Sequence, residues 1–182
     1  MLCKKKLRNL CLLIVIVSFL KVHRYTYSSA GHVYDFNMMR DKKDILNIFK
    51  KNWAELVEGT DYSPDYMIIE RKPGKDVPYI HPLKIKVMRE KNKLAGFTSY
   101  YMENNQKGMI LFLAVDHNFR GKGYGTLLMQ YAMKDLMAMG AKNIGIWVLI
   151  SNDTAKRLYK KLGFIEKFFD EKENLYLEYQ IP

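Results

Sequence analysis

Hydrophobic and polar positions along the first half of this chain predict a strand, a helix and a long loop. An apolar and aromatic stretch over residues 33–39 predicts the strand. Apolar residues then recur at steps of three and four, which predicts an amphipathic helix that ends at Gly59. Residues 61–82 contain four prolines and Gly74 and predict an irregular loop. The apolar helix positions are Ile45, Leu46, Ile48, Phe49, Trp53, Leu56 and Val57.

The second half of the chain predicts six strands and two helices. Residues 83–90 and 94–102 flank a polar turn and predict a β-hairpin, and the apolar run 109–115 predicts a buried strand. A helix ending at Gly140, a strand over 144–150, a helix from Asn152 to Gly163 and a hairpin of 164–169 with 175–181 follow. This order predicts an α/β (α+β) mixed sheet, in which an antiparallel meander precedes a β-α-β crossover and a C-terminal hairpin.

The composition indicates one globular domain, because the 182 residues are 48% hydrophobic and 27% charged. The net charge of +11 is uneven: the first 24 residues carry six basic residues and no acidic one. No nucleic-acid-binding motif accompanies the mildly basic remainder, so we expect no nucleic-acid partner. Both cysteines, Cys3 and Cys11, precede residue 31, and the four histidines form no metal-binding motif. We therefore expect no metal.

Residues 1–30 form a basic and apolar leader, and residues 31–182 form the domain. The leader resembles a signal peptide, with an apolar run at 10–20 and the small residues Ser28, Ser29 and Ala30 before Gly31. Eleven helical residues span about 16 Å, roughly half of a bilayer's hydrocarbon core. Three interpretations are open: an export signal, an interfacial membrane anchor, and a misassigned start codon.

A glycine-rich segment, Arg120-Gly121-Lys122-Gly123-Tyr124-Gly125-Thr126, joins the buried strand to the next helix. Such a turn directs backbone N–H groups toward an anion, and the helix N-terminus adds partial positive charge. The spacing fits neither the dinucleotide-binding fingerprint nor the P-loop. A phosphate-bearing ligand is therefore predicted, with a tight structural turn as the alternative.

The segment 113–125 resembles the acyl-CoA-binding motif of the GNAT N-acetyltransferase family, Arg/Gln-x-x-Gly-x-Gly/Ala, with Arg120, Gly123 and Gly125 at its fixed places. Residues 152–164 resemble the family's second signature, Asn-x-x-Ala-x-x-Leu-Tyr-x-x-x-Gly-Phe. On these two segments the chain is identified as a member of the family from about residue 33 onward. The resemblance implies the GNAT acyl-CoA N-acyltransferase fold.

The resemblance also implies site roles, with acetyl-CoA as the acyl donor. Leu113, Ala114 and Val115 would pair through their backbones with the pantetheine arm, and the Val115 N–H would polarise the thioester carbonyl. Asn152 would contact the same arm besides capping its helix, and Tyr159 would be the general acid that protonates the leaving thiolate. Packing in the core is the alternative for Tyr159. The pyrophosphate would be bound by Arg120, Gly121, Lys122, Gly123, Tyr124, Gly125 and Thr126.

The general base and the acceptor amine stay open. Residues 109–115 contain no acidic residue, and Trp147 stands where some relatives carry glutamate. Glu103, Asp116 and His117 are nearby in sequence, but no spacing selects one of them, so water-mediated deprotonation and binding of the neutral amine are alternatives. Acidic residues in the two loops expected to frame the acceptor favour a cationic amine, although acids also suit solvated loop tips. These residues are Asp61, Asp65, Asp170, Glu171 and Glu173.

Two functions follow. The first is an N-acetyltransferase that moves an acetyl group from acetyl-CoA to a primary amine, on a small molecule or a protein, through a tetrahedral intermediate. The second is a non-catalytic acyl-CoA-binding module tethered to a membrane or a partner. Because acetyl-CoA is kept inside cells, we expect a cytoplasm-facing protein with membrane contact through its leader, and export after leader cleavage is the alternative.

Overall fold

A computed structural model of the protein describes residues 31–52, 56, 63, 65 and 83–182. Within them, seven strands form one sheet in the order β1-β2-β3-β4-β5-β7-β6. The strands are β1 (Gly31–Asp35), β2 (Lys84–Glu90), β3 (Lys93–Met102), β4 (Lys107–Val115), β5 (Asn143–Leu149), β6 (Ile165–Phe169) and β7 (Asn174–Gln180). The helices are α1 (Met38–Lys51), α2 (Tyr124–Ala138) and α3 (Asp153–Lys161), and a 3₁₀ turn covers His117–Phe119.

The topology confirms the predicted mixed sheet. Strands β1 to β4 form an antiparallel meander, and α2 connects β4 to its parallel neighbour β5. The final hairpin inserts β7 beside β5 and leaves β6 at the edge. The β4–β5 pair is therefore the one parallel contact among the strands described, and it lies at the centre of the sheet.

The predicted first strand over residues 33–39 is too long, because β1 ends at Asp35 and Met38 begins α1. Asn37 stops the strand. Its side-chain oxygen accepts a hydrogen bond from the Arg40 N–H at 3.0 Å, and its own N–H donates to Asp41 at 2.8 Å. This reciprocal N-cap satisfies the amides of Asn37 and Arg40 and favours a helix start over continuation of the strand through the apolar Met38 and Met39.

Several predictions concern residues that the structure does not describe. They are the leader over residues 1–30, the helix positions Trp53 and Val57, and most of the predicted loop 61–82. Those predictions, and the membrane contact that depends on the leader, stay predictions. The predicted helix end at Gly59 is wrong, because α1 ends at Lys51 with Asn52 as its C-cap. In the described ranges, each helix is too short or too polar to cross a membrane.

The core has two halves, one on each face of the sheet. The front face, defined here as the side covered by α1, buries Ile45 and Phe49 of the helix against Phe97 and Phe112 of the sheet. The back face is covered by α2 and α3, whose Leu136 and Tyr159 lie in one cluster with strand residues. Residues of β5 alternate between these faces: Ile144, Ile146 and Val148 belong to the back cluster. The intervening Gly145 and Trp147 therefore face the front.

One buried carboxylate ties α1 to the sheet. The Asp41 side chain is fully buried and accepts hydrogen bonds from Arg40, at 2.7 and 2.8 Å, and from Arg89 of β2, at 2.7 and 3.0 Å. Burial acts to raise the pKa of Asp41, but the hydrogen bonds from Arg40, Asn37 and Arg89 outweigh it, so the pKa lies below its ordinary value. The ionised carboxylate is thus the form that stabilises the fold.

We expect Asp41→Asn to lower the free energy of unfolding by about 3 kcal/mol near neutral pH, because Arg89 then loses a buried charge partner. The folded-state pKa lies below the unfolded value of about 4, so this stabilisation is present above about pH 4 and is lost as the pH falls through the folded value. Urea denaturation at neutral and acidic pH measures both effects. Asp44→Asn is the matched control, since Asp44 is 45% exposed and meets Arg89 at 3.2 Å. An equal loss in both variants would contradict the assignment.

Candidate functional site

The sheet opens between its two central strands. Strand β4 pairs with β5 only from Lys107 to Ile110, opposite Asn143 to Ile146. Beyond that point β4 continues along β3, while β5 continues along β7. The register against β3 shifts at the same place, so that Leu111 is an extra residue in β4 and forms a β-bulge. A bulge bends and twists its strand, which directs the end of β4 away from β5.

The opening forms a cleft of about 950 Å³. It is lined by the second half of β4, the glycine-rich turn, the end of β5 and the start of α3. Every predicted site residue lines it except Lys122. The predicted residues in the lining are Leu113, Ala114, Val115, Arg120, Gly121, Gly123, Tyr124, Gly125, Thr126, Asn152 and Tyr159.

Backbone alternation decides which β4 residues offer hydrogen-bonding groups to the cleft. The N–H of Asp116 donates to the Ala95 carbonyl of β3 at 2.9 Å. In an antiparallel pair, alternate residues turn their N–H and C=O to the same neighbour, so Ala114 also bonds to β3. Leu113 and Val115 point the other way, into the cleft. This corrects the prediction for Ala114, whose backbone groups are already used.

Hydrogen bonds from the Arg120 side chain fix the start of the turn after β4. Its Nε donates to the Val115 carbonyl at 3.2 Å and its Nη2 to the Asn52 side-chain oxygen at 2.6 Å. Gly121 and Gly123 have φ angles of 79° and 80°, in the left-handed region that favours glycine. In the described part of the chain, no side chain caps the N-terminus of α2. The amides of its first turn are therefore directed at the cleft with the positive end of the helix dipole.

Lys122 and Tyr124 have structural partners instead. Lys122 Nζ lies 2.9 Å from Glu90 of β2, and the Tyr124 hydroxyl donates to the same carboxylate at 2.6 Å. Burial and this hydrogen bond raise the pKa of Tyr124 to about 12. The side chain of Lys122 does not line the cleft and its ammonium group is engaged with Glu90, so nothing in this arrangement supports its predicted part in pyrophosphate binding. Tyr124 can contribute its backbone N–H only, because its phenol anchors the start of α2 to β2.

Asn152 and Tyr159 of the second motif both reach the cleft. The Asn152 side-chain oxygen accepts a hydrogen bond from the Ala155 N–H at 3.1 Å, so the predicted N-cap is present. Tyr159, on the second turn of α3, is 5% exposed and packs against Phe164 with ring centroids 6.0 Å apart. Burial raises the pKa of Tyr159 above its ordinary value. Its phenol therefore keeps its proton at neutral pH and is a hydrogen-bond donor.

The acidic residues considered from the sequence occupy different places. Asp116 caps the 3₁₀ turn through the Asn118 N–H at 3.1 Å, and Asp170 accepts from the Asn174 N–H at 2.8 Å within the last hairpin. Neither lines the cleft, and His117 is also outside it. Glu103 does line it, together with Tyr101 and Trp147. No spacing in the sequence indicated this position, because it depends on the length of the β3–β4 turn.

The described residues contain no group of three or more histidine, cysteine or acidic side chains arranged to hold a metal. The lining of the cleft consists of apolar side chains, backbone groups and a few polar side chains. Such a lining suits an extended ligand with one anionic end.

A family model described as the acetyltransferase (GNAT) family matches residues 43–164. The matched segment spans most of the chain and contains both sequence motifs and the strand opening between them. The chain belongs to the GNAT family. The identification made from the two motifs is thereby confirmed.

Individual relatives of this GNAT chain match over shorter segments. An N-alpha-acetyltransferase of Sulfurisphaera tokodaii is 36% identical over 78 residues, which are 40% of this chain and 47% of that protein. An uncharacterized N-acetyltransferase of Methanocaldococcus jannaschii is 36% identical over 66 residues, 36% of this chain and 29% of that protein. These matches span less than half the length of either relative.

Solved structures share the GNAT fold over a larger part of the chain. The PaiA N-acetyltransferase of Thermoplasma acidophilum, crystallised in complex with coenzyme A, superposes with a TM-score of 0.65 at 17% identity. The superposition covers 84% of this chain and 99% of that one. At this identity the likeness establishes the fold, which confirms the predicted architecture.

Proposed function

We propose that the protein is an acetyl-CoA-dependent N-acetyltransferase that acts on a primary amine by direct attack. The observation that carries this proposal is the opening between β4 and β5, which leads from the glycine-rich turn to Tyr159. An anion site, a strand edge and a protonated phenol thus lie along one cleft. In this order the three elements suit the pyrophosphate, the pantetheine arm and the leaving thiolate of acetyl-CoA.

The donor fits the cleft through backbone groups. The amides of Gly121 to Thr126 converge at the N-terminus of α2 and can bind the pyrophosphate without ordering long side chains. The backbone groups of Leu113 and Val115 that face the cleft can pair with the amides of the pantetheine arm, as they would with a neighbouring strand. The Val115 N–H also supplies a fixed dipole for the thioester carbonyl, where negative charge develops in the transition state.

Tyr159 completes the chemistry on the leaving-group side. The amine nitrogen attacks the thioester carbon, and the tetrahedral intermediate collapses with cleavage of the C–S bond. The departing thiolate takes the phenol proton of Tyr159, and the proton that leaves the nitrogen passes to solvent, from which the Tyr159 phenolate regains a proton. Since burial raises the pKa of Tyr159, the phenol is protonated when the thiolate forms.

The acceptor class is a primary amine, and a peptide α-amine is the first to test because the Sulfurisphaera tokodaii relative is an N-alpha-acetyltransferase. We would measure coenzyme A release with a short peptide bearing a free α-amine, Nα-acetyl-lysine, spermidine and kanamycin. Saturable release with one of these amines is the expected result. Calorimetric binding of coenzyme A without turnover on any of them would favour the non-catalytic binding module instead.

We expect Gly123→Val to weaken coenzyme A binding by about tenfold or more, equivalent to about 1.4 kcal/mol. Valine is strained at the left-handed φ of Gly123, and its side chain would stand between the amides and the pyrophosphate. Gly140→Val is the matched control, because Gly140 has a φ of 98° at the far end of α2 and lies outside the cleft lining. Isothermal titration calorimetry should find a binding loss only for Gly123→Val, and parental affinity there would show that the anion site is elsewhere.

We expect Tyr159→Phe to lower turnover about tenfold to a thousandfold while leaving the affinity for coenzyme A within about threefold, since only the leaving-group proton is removed. The control is Tyr179→Phe, because Tyr179 packs against the same Phe164, at 5.7 Å, without lining the cleft. Steady-state rates of coenzyme A release compare the two variants. Full activity of Tyr159→Phe would refute the general-acid role.

A further inference from the structure

Glu103 is a carboxylate of the cleft that the two sequence motifs leave without a role. It follows the last residue of β3, and its backbone N–H donates to the Lys107 carbonyl at 2.8 Å, which closes the turn into β4. Its side chain is 27% exposed and lines the cleft. Asp153 is the other acidic residue in the described lining, and it is 69% exposed and paired with Lys156 at 2.8 Å.

The Glu103 carboxylate is held over the front face by Lys107. The ammonium group of Lys107 lies 2.8 Å from the carboxylate and 5.2 Å from the ring centroid of Tyr176. The Tyr176 hydroxyl lies directly above Gly145, where a Cβ atom would be 2.2 Å away. Gly145 pairs with Met109, one step before the β4–β5 pairing ends. The carboxylate therefore stands beside the closed end of the strand opening.

Glu103 and Tyr159 approach this opening from opposite faces of the sheet. Tyr159 belongs to the back cluster with Ile144 and Ile146, whereas Glu103 lies on the front with Tyr176. In acyl transfer through a tetrahedral intermediate, the amine must lose protons as it attacks, and the thiolate gains one when it leaves. A proton acceptor on the front suits the attacking amine, and a proton donor at the back suits the departing thiolate.

Aromatic side chains border the front side of the opening. Trp147 follows the last paired residue of β5, lines the cleft and is 40% exposed. Its ring packs against Tyr176 at 5.0 Å and against Phe168 at 5.6 Å. These rings give the acceptor an apolar surface and ring faces for cation–π contacts next to Glu103.

We propose that Glu103 binds the ammonium group of the acceptor and accepts the proton that its nitrogen must lose before attack. This assignment rests on the proposed N-acetyltransferase function. One proton passes from the ammonium to the carboxylate, and the neutral amine then attacks to form the C–N bond of the tetrahedral intermediate. The C–S bond breaks when that intermediate collapses, and the second proton of the nitrogen passes to solvent. Glu103 returns its proton to solvent through its exposed side, so the carboxylate is restored after each turnover.

Several charged or titratable groups surround Glu103, and their charges affect any variant of this residue. Lys107 of β4 is its direct partner, and Tyr176 and Glu178 of β7 face the same side, with Lys167 of β6 lying 3.8 Å from Glu178. Burial acts to lower the pKa of Lys107, but the hydrogen bond from Lys107 to Glu103 outweighs it and the pKa is raised. Lys107 thus stays cationic and positions Glu103 without serving as a base.

Glu103→Gln tests the assignment with whichever of the four panel amines the parent protein acetylates fastest. We expect kcat/KM near pH 7 to fall by about a hundredfold to ten-thousandfold, the range typical of general-base removal. The deficit should shrink toward about pH 10, where an alkylammonium ion loses its proton without assistance. Glu103→Asp, which keeps a carboxylate one methylene shorter, should recover part of the rate near pH 7.

Glu178→Gln is the matched control, since Glu178 faces the same side of the sheet but does not line the cleft, and it should keep the parental rate. Calorimetric binding of coenzyme A within about threefold of the parent shows that Glu103→Gln is folded. If that variant does not fold, Glu103→Asp decides by its rate near pH 7. A parental rate and pH profile in the folded Glu103 variant would overturn this assignment alone. A parent protein inactive on all four amines would overturn the proposed function and, with it, the role of Glu103.

Discussion

The site depends on one interruption of hydrogen bonding in the centre of the sheet. Strands β4 and β5 are paired up to Ile110 and Ile146 and then separate, and each remains bonded to its outer neighbour. A strand that loses one partner keeps a row of unsatisfied N–H and C=O groups on that side, which favours the addition of another extended chain. In this protein the exposed row lies in a cleft, where a narrow ligand can reach it and a second protein strand has less access.

The separation of the two strands is maintained by packing on both faces. The bulge at Leu111 turns β4, α2 and α3 fill the back face, and Tyr176 occupies the space above Gly145 on the front. Side chains in such packed interiors have few alternative positions, so the strands cannot simply close on each other. The cleft is thus a property of the folded sheet and precedes any ligand.

Most of the elements that form the site were predictable from local patterns. Gly121 and Gly123 mark a turn with left-handed backbone, and Asn152 marks a helix start, because few other residue types serve these positions equally well. The placement of Glu103 and Lys122 was not predictable. Their side chains are directed by partners distant in sequence. Lys107, which lies over the Tyr176 ring, positions Glu103, and Glu90 positions Lys122. Strand β1 ends early because the N-cap hydrogen bonds at Asn37 favour a helix start more than the short apolar run after it favours a strand.

The hydrogen bonds from Arg120 to Val115 and Asn52 lower the entropy cost of binding a ligand at the glycine-rich turn. A flexible glycine turn would lose conformational entropy when an anion settled on it, and that loss would weaken binding. Here the guanidinium already joins the Val115 carbonyl to the Asn52 side chain, across the base of the turn. The turn is therefore ordered when the chain folds. Little backbone entropy is then lost when an anionic ligand binds, so its contacts with the amides contribute almost fully to the affinity.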